Sequence, residues 1–189
     1  ILRFSARMDT TRYDDVDRRF VILIYLADNT IQVREPPMRN SGVVGGMWLS
    51  RQAVQKANGD FFTPADFYAG ANILFNHTRF IVLDVDEHTL IHMEDNKDSF
   101  PLADIDVCLG AMTQAMGEMG QSPEALFTAL DQDGNGSLSV GEFAAGMRNF
   151  FGDIFTERIP DQMIITVMRH FDSDKSGSVN LAEVTQALQ

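Results

Sequence analysis

Two twelve-residue stretches decide the fold of the C-terminal half of this chain: Asp131-Gln132-Asp133-Gly134-Asn135-Gly136-Ser137-Leu138-Ser139-Val140-Gly141-Glu142 and Asp172-Ser173-Asp174-Lys175-Ser176-Gly177-Ser178-Val179-Asn180-Leu181-Ala182-Glu183. Each has an oxygen donor at positions 1, 3, 5, 7, 9 and 12, and a glycine at position 6. Calcium is a hard cation that takes six to eight oxygen ligands at flexible distances, and its loop turns sharply at position 6. Glycine permits that turn because it has no side chain to strain. Each stretch is therefore a predicted calcium-binding loop.

This spacing is that of the EF-hand loop, which assigns a role to every oxygen donor. Side chains bind at positions 1, 3 and 5, and a backbone carbonyl binds at position 7. Position 9 binds directly or through a water, and position 12 supplies two carboxylate oxygens. The predicted ligands in the first loop are Asp131, Asp133, Asn135, the Ser137 carbonyl, Ser139 and Glu142. In the second loop they are Asp172, Asp174, Ser176, the Ser178 carbonyl, Asn180 and Glu183. The sequence thus predicts two bound Ca²⁺ ions.

The residues around both loops have the apolar spacing of helices. Leu126, Phe127 and Leu130 precede the first loop, while Ile164, Val167, Met168 and Phe171 precede the second. Ser122-Pro123 and Pro160-Asp161 are typical helix starts, since proline suits the first helical position. Leu138 and Val179 both stand at position 8, where two paired loops exchange backbone hydrogen bonds. An all-α EF-hand pair is therefore predicted for residues 121–189, in preference to two unrelated surface turns.

The charge of this 189-residue chain is concentrated at its C-terminal end. The formal net charge is −12. Residues 1–93 hold ten Lys or Arg against eleven Asp or Glu, whereas residues 94–189 hold five against sixteen. The composition changes at the polar stretch 94–99, which suits a linker. The predicted domains are a β domain at 1–94, a linker and helix at 95–120, and the EF-hand pair at 121–189.

Several classes of function are disfavoured by composition. Nucleic acid is a poor candidate partner, because binding a phosphate backbone requires a basic surface. The sequence lacks the H-E-x-x-H, C-x-x-C and G-x-S-x-G motifs, so no enzyme is predicted. No apolar run approaches about 18 residues, so a membrane is not an expected partner. The single Cys108 indicates a reducing compartment such as the cytoplasm. The chain begins at Ile1 without an initiator methionine, so we expect a piece of a longer polypeptide.

The N-terminal half has the pattern of an antiparallel β domain. Two predicted hairpins consist of apolar, β-branched stretches joined by turns at Asp28-Asn29 and Asn76-His77. The predicted strands lie at 19–26, 30–34, 47–49, 71–75 and 79–83, with a helical turn at 63–67 and a helix capped by Asp86 that runs to Met93. We therefore predict an α+β chain, with a compact barrel or sandwich followed by the EF-hand pair.

Three stretches of this half have a recognisable pattern: Glu35-Pro36-Pro37-Met38-Arg39-Asn40-Ser41-Gly42-Val43, FFTPADFYAG at 61–70 and FNHTRFIVLDVDE at 75–87. The first resembles the E-P-x-x-x-N-S-G signature of the DM-ten domain of the myoclonin (EF-hand-containing ciliary) family. The other two resemble the later strands of that domain. In this family, DM-ten domains precede a C-terminal EF-hand pair. The resemblance implies a barrel similar in outline to pleckstrin-homology domains. It also implies a longer protein, because relatives carry several DM-ten copies.

The same resemblance implies a function and a location. Family members are structural proteins of ciliary and flagellar doublet microtubules, where they contact tubulin and neighbouring axonemal proteins. We therefore expect a calcium-binding scaffold of the axoneme, within the cytoplasm and its cytoskeleton. The alternatives are a free cytosolic calcium sensor that grips a partner helix, and lipid binding by the barrel. The candidate tubulin contact is a basic face formed by Arg18, Arg19, Arg34 and Arg39, from an early basic set that also contains Arg3, Arg7, Arg12, Arg51 and Lys56.

A methionine-rich helix is predicted between the two halves, from 101 to 119, with Gly120 as its end. One face of this helix collects apolar residues, namely Ile105, Cys108, Leu109, Met112, Met116 and Met119. Methionine is flexible and polarizable, so such a face suits either ordinary core packing or an adaptable binding groove. The helix is expected to pack on the EF-hands or the β domain. The sharper hypothesis is that it occupies the groove of the EF-hand pair.

Overall fold

The computed structural model describes residues 1–38, 42, 44–120, 122–131, 134–172, 178–180 and 183. The chain divides into two compact units, Ile1–Ser99 and Phe100–Gln189. In the part of the chain that is described, no helix has the length and apolar character needed to cross a membrane.

The first unit is built on a six-stranded antiparallel sheet that curves into a half-barrel. Its spatial strand order is β4-β3-β2-β1-β6-β5. Two helices accompany it, α1 (Tyr13–Val16) and α2 (Glu87–Asp95). The strands are β1 (Leu2–Met8), β2 (Arg19–Tyr25), β3 (Thr30–Glu35), β4 (Gly46–Gln52), β5 (Asn72–Phe75) and β6 (Thr78–Val85).

The core of this unit follows from the alternation of side chains along each strand. Leu2, Phe4, Ala6 and Met8 of β1 are buried, while the residues between them point outward. Aromatic rings fill the concave side of the sheet in edge-on and tilted contacts, which suit their quadrupoles. This aromatic cluster comprises Phe4, Phe20, Trp48, Phe62, Phe67, Phe75 and Phe80.

The structure confirms both predicted hairpins, as β2–β3 and β5–β6. The predicted cap of α2 is also present, because the Asp86 carboxylate accepts a hydrogen bond of 2.8 Å from the Thr89 N–H. The helical turn predicted at 63–67 is the 3-10 helix Pro64–Asp66, which has a capping box. Strand β1 was not predicted from the sequence, and it lies inside the sheet between β2 and β6.

The second unit is mostly helical and has its own apolar core. It begins with the 3-10 helix Pro101–Ala103, and its two short strands pair with each other. The helix predicted at 101–119 begins only at Ile105, because extended Asp104 separates it from the 3-10 turn and caps it. The elements are α3 (Ile105–Met119), α4 (Pro123–Leu130), β7 (Ser137–Ser139), α5 (Val140–Arg158, interrupted at Gly152), α6 (Asp161–Phe171) and β8 (Ser178–Asn180).

The predicted apolar face of α3 lies in the core of this second unit. Cys108, Met112 and Met116 are buried in one cluster with side chains of α4, α5 and α6. Gly120 ends α3 in the left-handed conformation, as predicted. The Thr166 hydroxyl of α6 donates a 3.2 Å hydrogen bond to the Leu102 carbonyl just before α3. The segment predicted as a connecting helix is therefore an integral part of the helical unit.

Candidate metal centre

The first predicted loop lies between α4 and α5 and folds around the carboxylate of Asp131. Its two oxygens accept hydrogen bonds from the backbone N–H groups of Asn135 (3.1 Å) and Gly136 (3.0 Å). The Asn135 side-chain oxygen in turn accepts from the Ser137 N–H at 2.7 Å. Gly136 has a φ of 78°, the left-handed conformation expected at position 6. Asp133, the predicted ligand at position 3, lies outside the described residues.

The last two side-chain ligands of this loop form the N-terminal cap of α5. The Ser139 hydroxyl accepts a 3.2 Å hydrogen bond from the Glu142 N–H, and the Glu142 carboxylate accepts from the Ser139 N–H at 3.0 Å. The Ser139 hydroxyl also lies 2.6 Å from the same carboxylate oxygen. This reciprocal arrangement is a capping box, which fixes the Glu142 side chain at the helix start. The helix cap thus orients the position-12 carboxylate.

The described part of the second loop repeats this geometry. Asp172 ends α6, and its backbone N–H donates to the Met168 carbonyl at 2.9 Å. The Glu183 carboxylate accepts from the Asn180 N–H at 2.9 Å, and the Asn180 side chain accepts from the Glu183 N–H at 3.1 Å. Positions 9 and 12 therefore form the same cap in both loops. Two predicted ligands, Asp174 and Ser176, lie outside the described residues, as does Gly177.

A short antiparallel ribbon joins the two loops, as the position-8 residues predicted. Leu138 is paired with Val179, between the pairs Ser137–Asn180 and Ser139–Ser178. Both central side chains are fully buried in the helical core. The rings of Phe143 and Phe171 meet edge to face at 6.3 Å in the same core. Four predicted ligand positions, namely 7 and 9 of each loop, lie on this ribbon, so the two loops share one hydrogen-bonded element.

The donor set fits a hard cation such as calcium. The described donors are all oxygens, from the carboxylates of Asp131, Glu142, Asp172 and Glu183, the amides of Asn135 and Asn180, and the hydroxyl of Ser139. Nitrogen and sulfur, which zinc and softer metals prefer, are absent from this set of described donors. Carboxylates gathered in one loop repel one another, and a divalent cation relieves that repulsion.

The structure shows the surroundings of three of the four arginines in the predicted basic face of the β domain. Arg18 makes a bidentate ion pair with Glu35, with N–O distances of 2.6 and 2.7 Å, and also donates to the Asp15 carboxylate at 2.8 Å. These hydrogen bonds, chiefly those that Arg18 donates to Glu35, raise the pKa of Arg18, and its charge is satisfied within the domain. Arg18 is therefore already paired within the domain, and its contact with a partner stays a prediction. Arg39 lies outside the described residues, while Arg19 and Arg34 are exposed on neighbouring strands.

Two further arginines, which the sequence placed only in the wider basic set, belong to the same outer surface. Arg3 and Arg7 lie on β1, and Arg7 is the direct cross-strand partner of Arg19. The alternation of apolar and basic residues along 2–8 was the available signal for both the strand and its basic outer side.

Comparison with known proteins agrees with this two-part architecture. The DM10 (DM-ten) domain family matches residues 1–89, and the EF-hand domain pair family matches residues 124–189. EF-hand domain-containing family member C2 of Danio rerio is 34% identical over 189 residues, which cover 96% of this chain and 25% of that protein.

Two mammalian proteins show the same similarity. The Mus musculus family member C2 is 34% identical over 179 residues, covering 90% of this chain and 23% of that protein. EF-hand domain-containing protein 1 of Homo sapiens is 44% identical over 102 residues, or 51% of this chain and 16% of that protein. The chain spans about a quarter of the length of the C2 relatives. With both domain types matched in the same order, the chain belongs to the EF-hand domain-containing family that joins a DM10 domain to a calcium-binding EF-hand pair.

Proposed function

We propose that this chain is part of a calcium-binding structural scaffold of ciliary and flagellar doublet microtubules, in which it contacts tubulin. The observation that carries the calcium half of the proposal is the pair of loops joined by the β7–β8 ribbon, each with its position-12 carboxylate held by a helix cap. The axonemal half rests on the resemblance to the myoclonin family. As the chain spans about a quarter of its C2 relatives, both halves are proposals about a larger protein.

We further propose two calcium sites, formed by the twelve predicted ligands. Each loop has three carboxylate ligands, with neutral groups at positions 5 and 9. That number of charges suggests dissociation constants of about 10⁻⁷ to 10⁻⁵ M, the range of calcium sensors rather than the tightest buffers.

Titration calorimetry tests the number of sites. We expect two sites in the intact chain, and one site in each of the variants Glu142→Gln and Glu183→Gln, because each loses one negative charge and one carboxylate ligand. Asp161→Asn is the matched control, since it also removes a carboxylate from the helical unit but lies outside both loops. A chain that binds no calcium at millimolar ion would refute the proposal.

The alternative of a free sensor that grips a partner helix is disfavoured by the position of α3. In the helical unit, α3 already buries Cys108, Met112 and Met116 among the apolar side chains of the EF-hand helices. A partner helix that used these side chains would first have to displace α3. We therefore propose that calcium chiefly stabilises this closed unit.

Two measurements separate these roles. If the scaffold proposal is correct, the full-length protein remains with axonemes through a high-salt wash, and a labelled copy locates to the cilium. Calcium-dependent retention of the chain on a hydrophobic resin would instead show that apolar surface is exposed on binding, which favours the sensor. Axonemal retention combined with calcium-independent behaviour on the resin is the expected result.

A further inference from the structure

The outer side of the half-barrel carries four arginines on three neighbouring strands. The register places Arg3 opposite Leu23 and Arg7 opposite Arg19 between β1 and β2. It also places Val21 opposite Arg34 between β2 and β3. Residues directly opposite one another in an antiparallel pair have side chains on the same face. The face defined by Arg3, Arg7, Arg19, Arg34, Val21 and Leu23 is called the arginine face below.

The charges of the arginine face have no carboxylate partners within the described residues. Arg7 donates a hydrogen bond to the Met8 carbonyl, and Arg19 donates to the carbonyls of Val16 and Arg18. By contrast, Arg18, Arg51 and Lys56 each form an ion pair with an aspartate or glutamate.

Like charges directly opposite one another destabilise a sheet, so the Arg7–Arg19 pair favours an external anion. The nearest acidic residue by register is Asp84 of β6, which pairs with Ser5 of β1. Its carboxylate accepts a hydrogen bond from the Val85 N–H. One carboxylate leaves a clear positive excess on the arginine face.

A cavity of about 490 Å³ opens on the same face. Arg3, Arg34, Val21 and Leu23 line it together with Glu35, whose carboxylate is already paired with Arg18, and its rim is formed by Pro36-Pro37 and residues 44–46. The rim is held by direct backbone packing, because a Cβ on Gly45 would lie 2.6 Å from the Glu35 carbonyl oxygen. Val44 at this rim is 88% exposed. The site thus combines an apolar depression with two guanidinium groups.

We propose that the arginine face binds an acidic, extended peptide segment of a partner protein, with one apolar side chain of that segment in the cavity. Arg7 lies four positions after Arg3, a distance of about 13 Å along a strand. A single phosphate cannot bridge that distance, whereas successive carboxylates of an extended chain follow it. Each guanidinium binds a carboxylate through two parallel hydrogen bonds. The inference rests on the scaffold role only in taking the partner to be a protein.

Fluorescence anisotropy on the whole 189-residue chain tests this proposal. The probe is a labelled peptide of six glutamates around one central leucine. The double variant Arg3→Glu/Arg34→Glu should bind the peptide at least about tenfold more weakly, since each reversal replaces a charge attraction with a repulsion. Arg12→Glu/Lys97→Glu changes the net charge equally with exposed residues outside the arginine face, and it should bind within about twofold of the unmodified chain.

Three controls keep the result interpretable. Arg3→Gln/Arg34→Gln is measured beside the reversal, so that weaker binding is still scored if the reversed variant does not fold. A peptide with lysine in place of glutamate should not bind. Binding of the acidic peptide should weaken as salt is raised from about 0.05 to 0.5 M, because exposed charges are screened.

The opposing outcomes are specific. The proposal is overturned if Arg3→Glu/Arg34→Glu and Arg12→Glu/Lys97→Glu lose affinity for the peptide equally. It is also overturned if the unmodified chain does not bind the peptide. A third opposing result is co-sedimentation of the chain with phosphoinositide vesicles that depends on Arg3 and Arg34, while the peptide does not bind. The arginine face would then bind a lipid surface and not a peptide. If the peptide does not bind but the full-length protein is retained on axonemes, only the proposal for the arginine face is refuted. If the peptide binds through Arg3 and Arg34 but the full-length protein is not retained on axonemes, only the proposed axonemal function is refuted.

Discussion

Gly45 is the residue on which the rim of the cavity depends most directly. It has a φ of 74°, and a Cβ there would meet the Glu35 oxygen, the Pro37 nitrogen at 2.7 Å and the Pro36 carbonyl carbon at 2.9 Å. All three are backbone atoms, so no side chain can move aside. Gly59 also has a positive φ, of 93°, but open space around it.

We therefore expect Gly45→Ala to destabilise the first unit more than Gly59→Ala. The left-handed conformation alone costs about 1–2 kcal/mol for a residue with a Cβ, and this cost applies to both variants. The clash adds to it only at Gly45. Urea unfolding followed by Trp48 fluorescence measures the difference, since Trp48 is the single tryptophan and packs on Phe80. Equal free energies of unfolding in the two variants would show that the loop adjusts without strain.

Cys108 makes the stability of the helical unit depend on pH at alkaline values. Burial, with a smaller contribution from Asp104, raises the pKa of its thiol to about 12. An unfolded thiol has a pKa of about 8.5, so above that value the unfolded chain loses its proton before the folded chain does. The thiol therefore contributes stability below about pH 8.5, and this contribution falls as pH rises towards 12.

The corresponding variant is Cys108→Ala. Its free energy of unfolding should decline less between pH 8 and pH 11 than that of the unmodified chain, as measured by urea denaturation with helical circular dichroism. The folded protein should also react slowly with thiol reagents at pH 8, because the thiol is buried and protonated. Parallel pH profiles for the two proteins would contradict the assigned cause.

Helices α4 and α5 are in close contact at Gly146. A Cβ there would lie 2.4 Å from a terminal methyl carbon of Leu130 and 3.2 Å from its Cα, and Leu130 is buried. We expect Gly146→Ala to destabilise the helical unit by about 1–3 kcal/mol through overpacking, in spite of the better helix propensity of alanine.

The matched control is Gly110→Ala in α3, where a Cβ meets no atom within 4 Å. At position 110 no clash opposes the gain in helix propensity from glycine to alanine, so the melting temperature of Gly110→Ala should rise. Thermal melts monitored by circular dichroism measure both changes. A rise for both variants would mean that Leu130 repacks at little cost.

The elements that sequence predicted well are those with local signals. The β2–β3 hairpin has a turn and two apolar strands, and the Asp86 cap lies directly before its helix. Strand β1 also alternates, but its partners β2 and β6 are distant in sequence, and no adjacent turn marked it as a hairpin. The ion pair of Arg18 was not predicted for a related reason, because Glu35 is seventeen positions away and only the folded sheet brings the two together.

At the scale of the whole chain, the two units should respond differently to calcium. The spacing of the loop ligands could be recognised in the sequence because an EF-hand binds its calcium ion with one contiguous segment. All proposed ligands lie in the second unit, and the first unit contributes none. Ion binding to the folded state alone stabilises it by RT ln(1 + [L]/Kd), about 2.7 kcal/mol per site at a hundredfold excess over Kd.

We therefore expect calcium to raise the unfolding temperature of residues 100–189 and to leave residues 1–99 nearly unchanged. Hydrogen exchange of the intact chain resolves the two units: protection should increase on β7, β8 and the core helices, and Trp48 fluorescence should melt at the same temperature with and without calcium. The variant Glu142→Gln/Glu183→Gln should lose the increase, because it removes the position-12 carboxylate from both loops. A calcium-dependent shift confined to the Trp48 signal would place the binding site in the β domain and refute this division between the units.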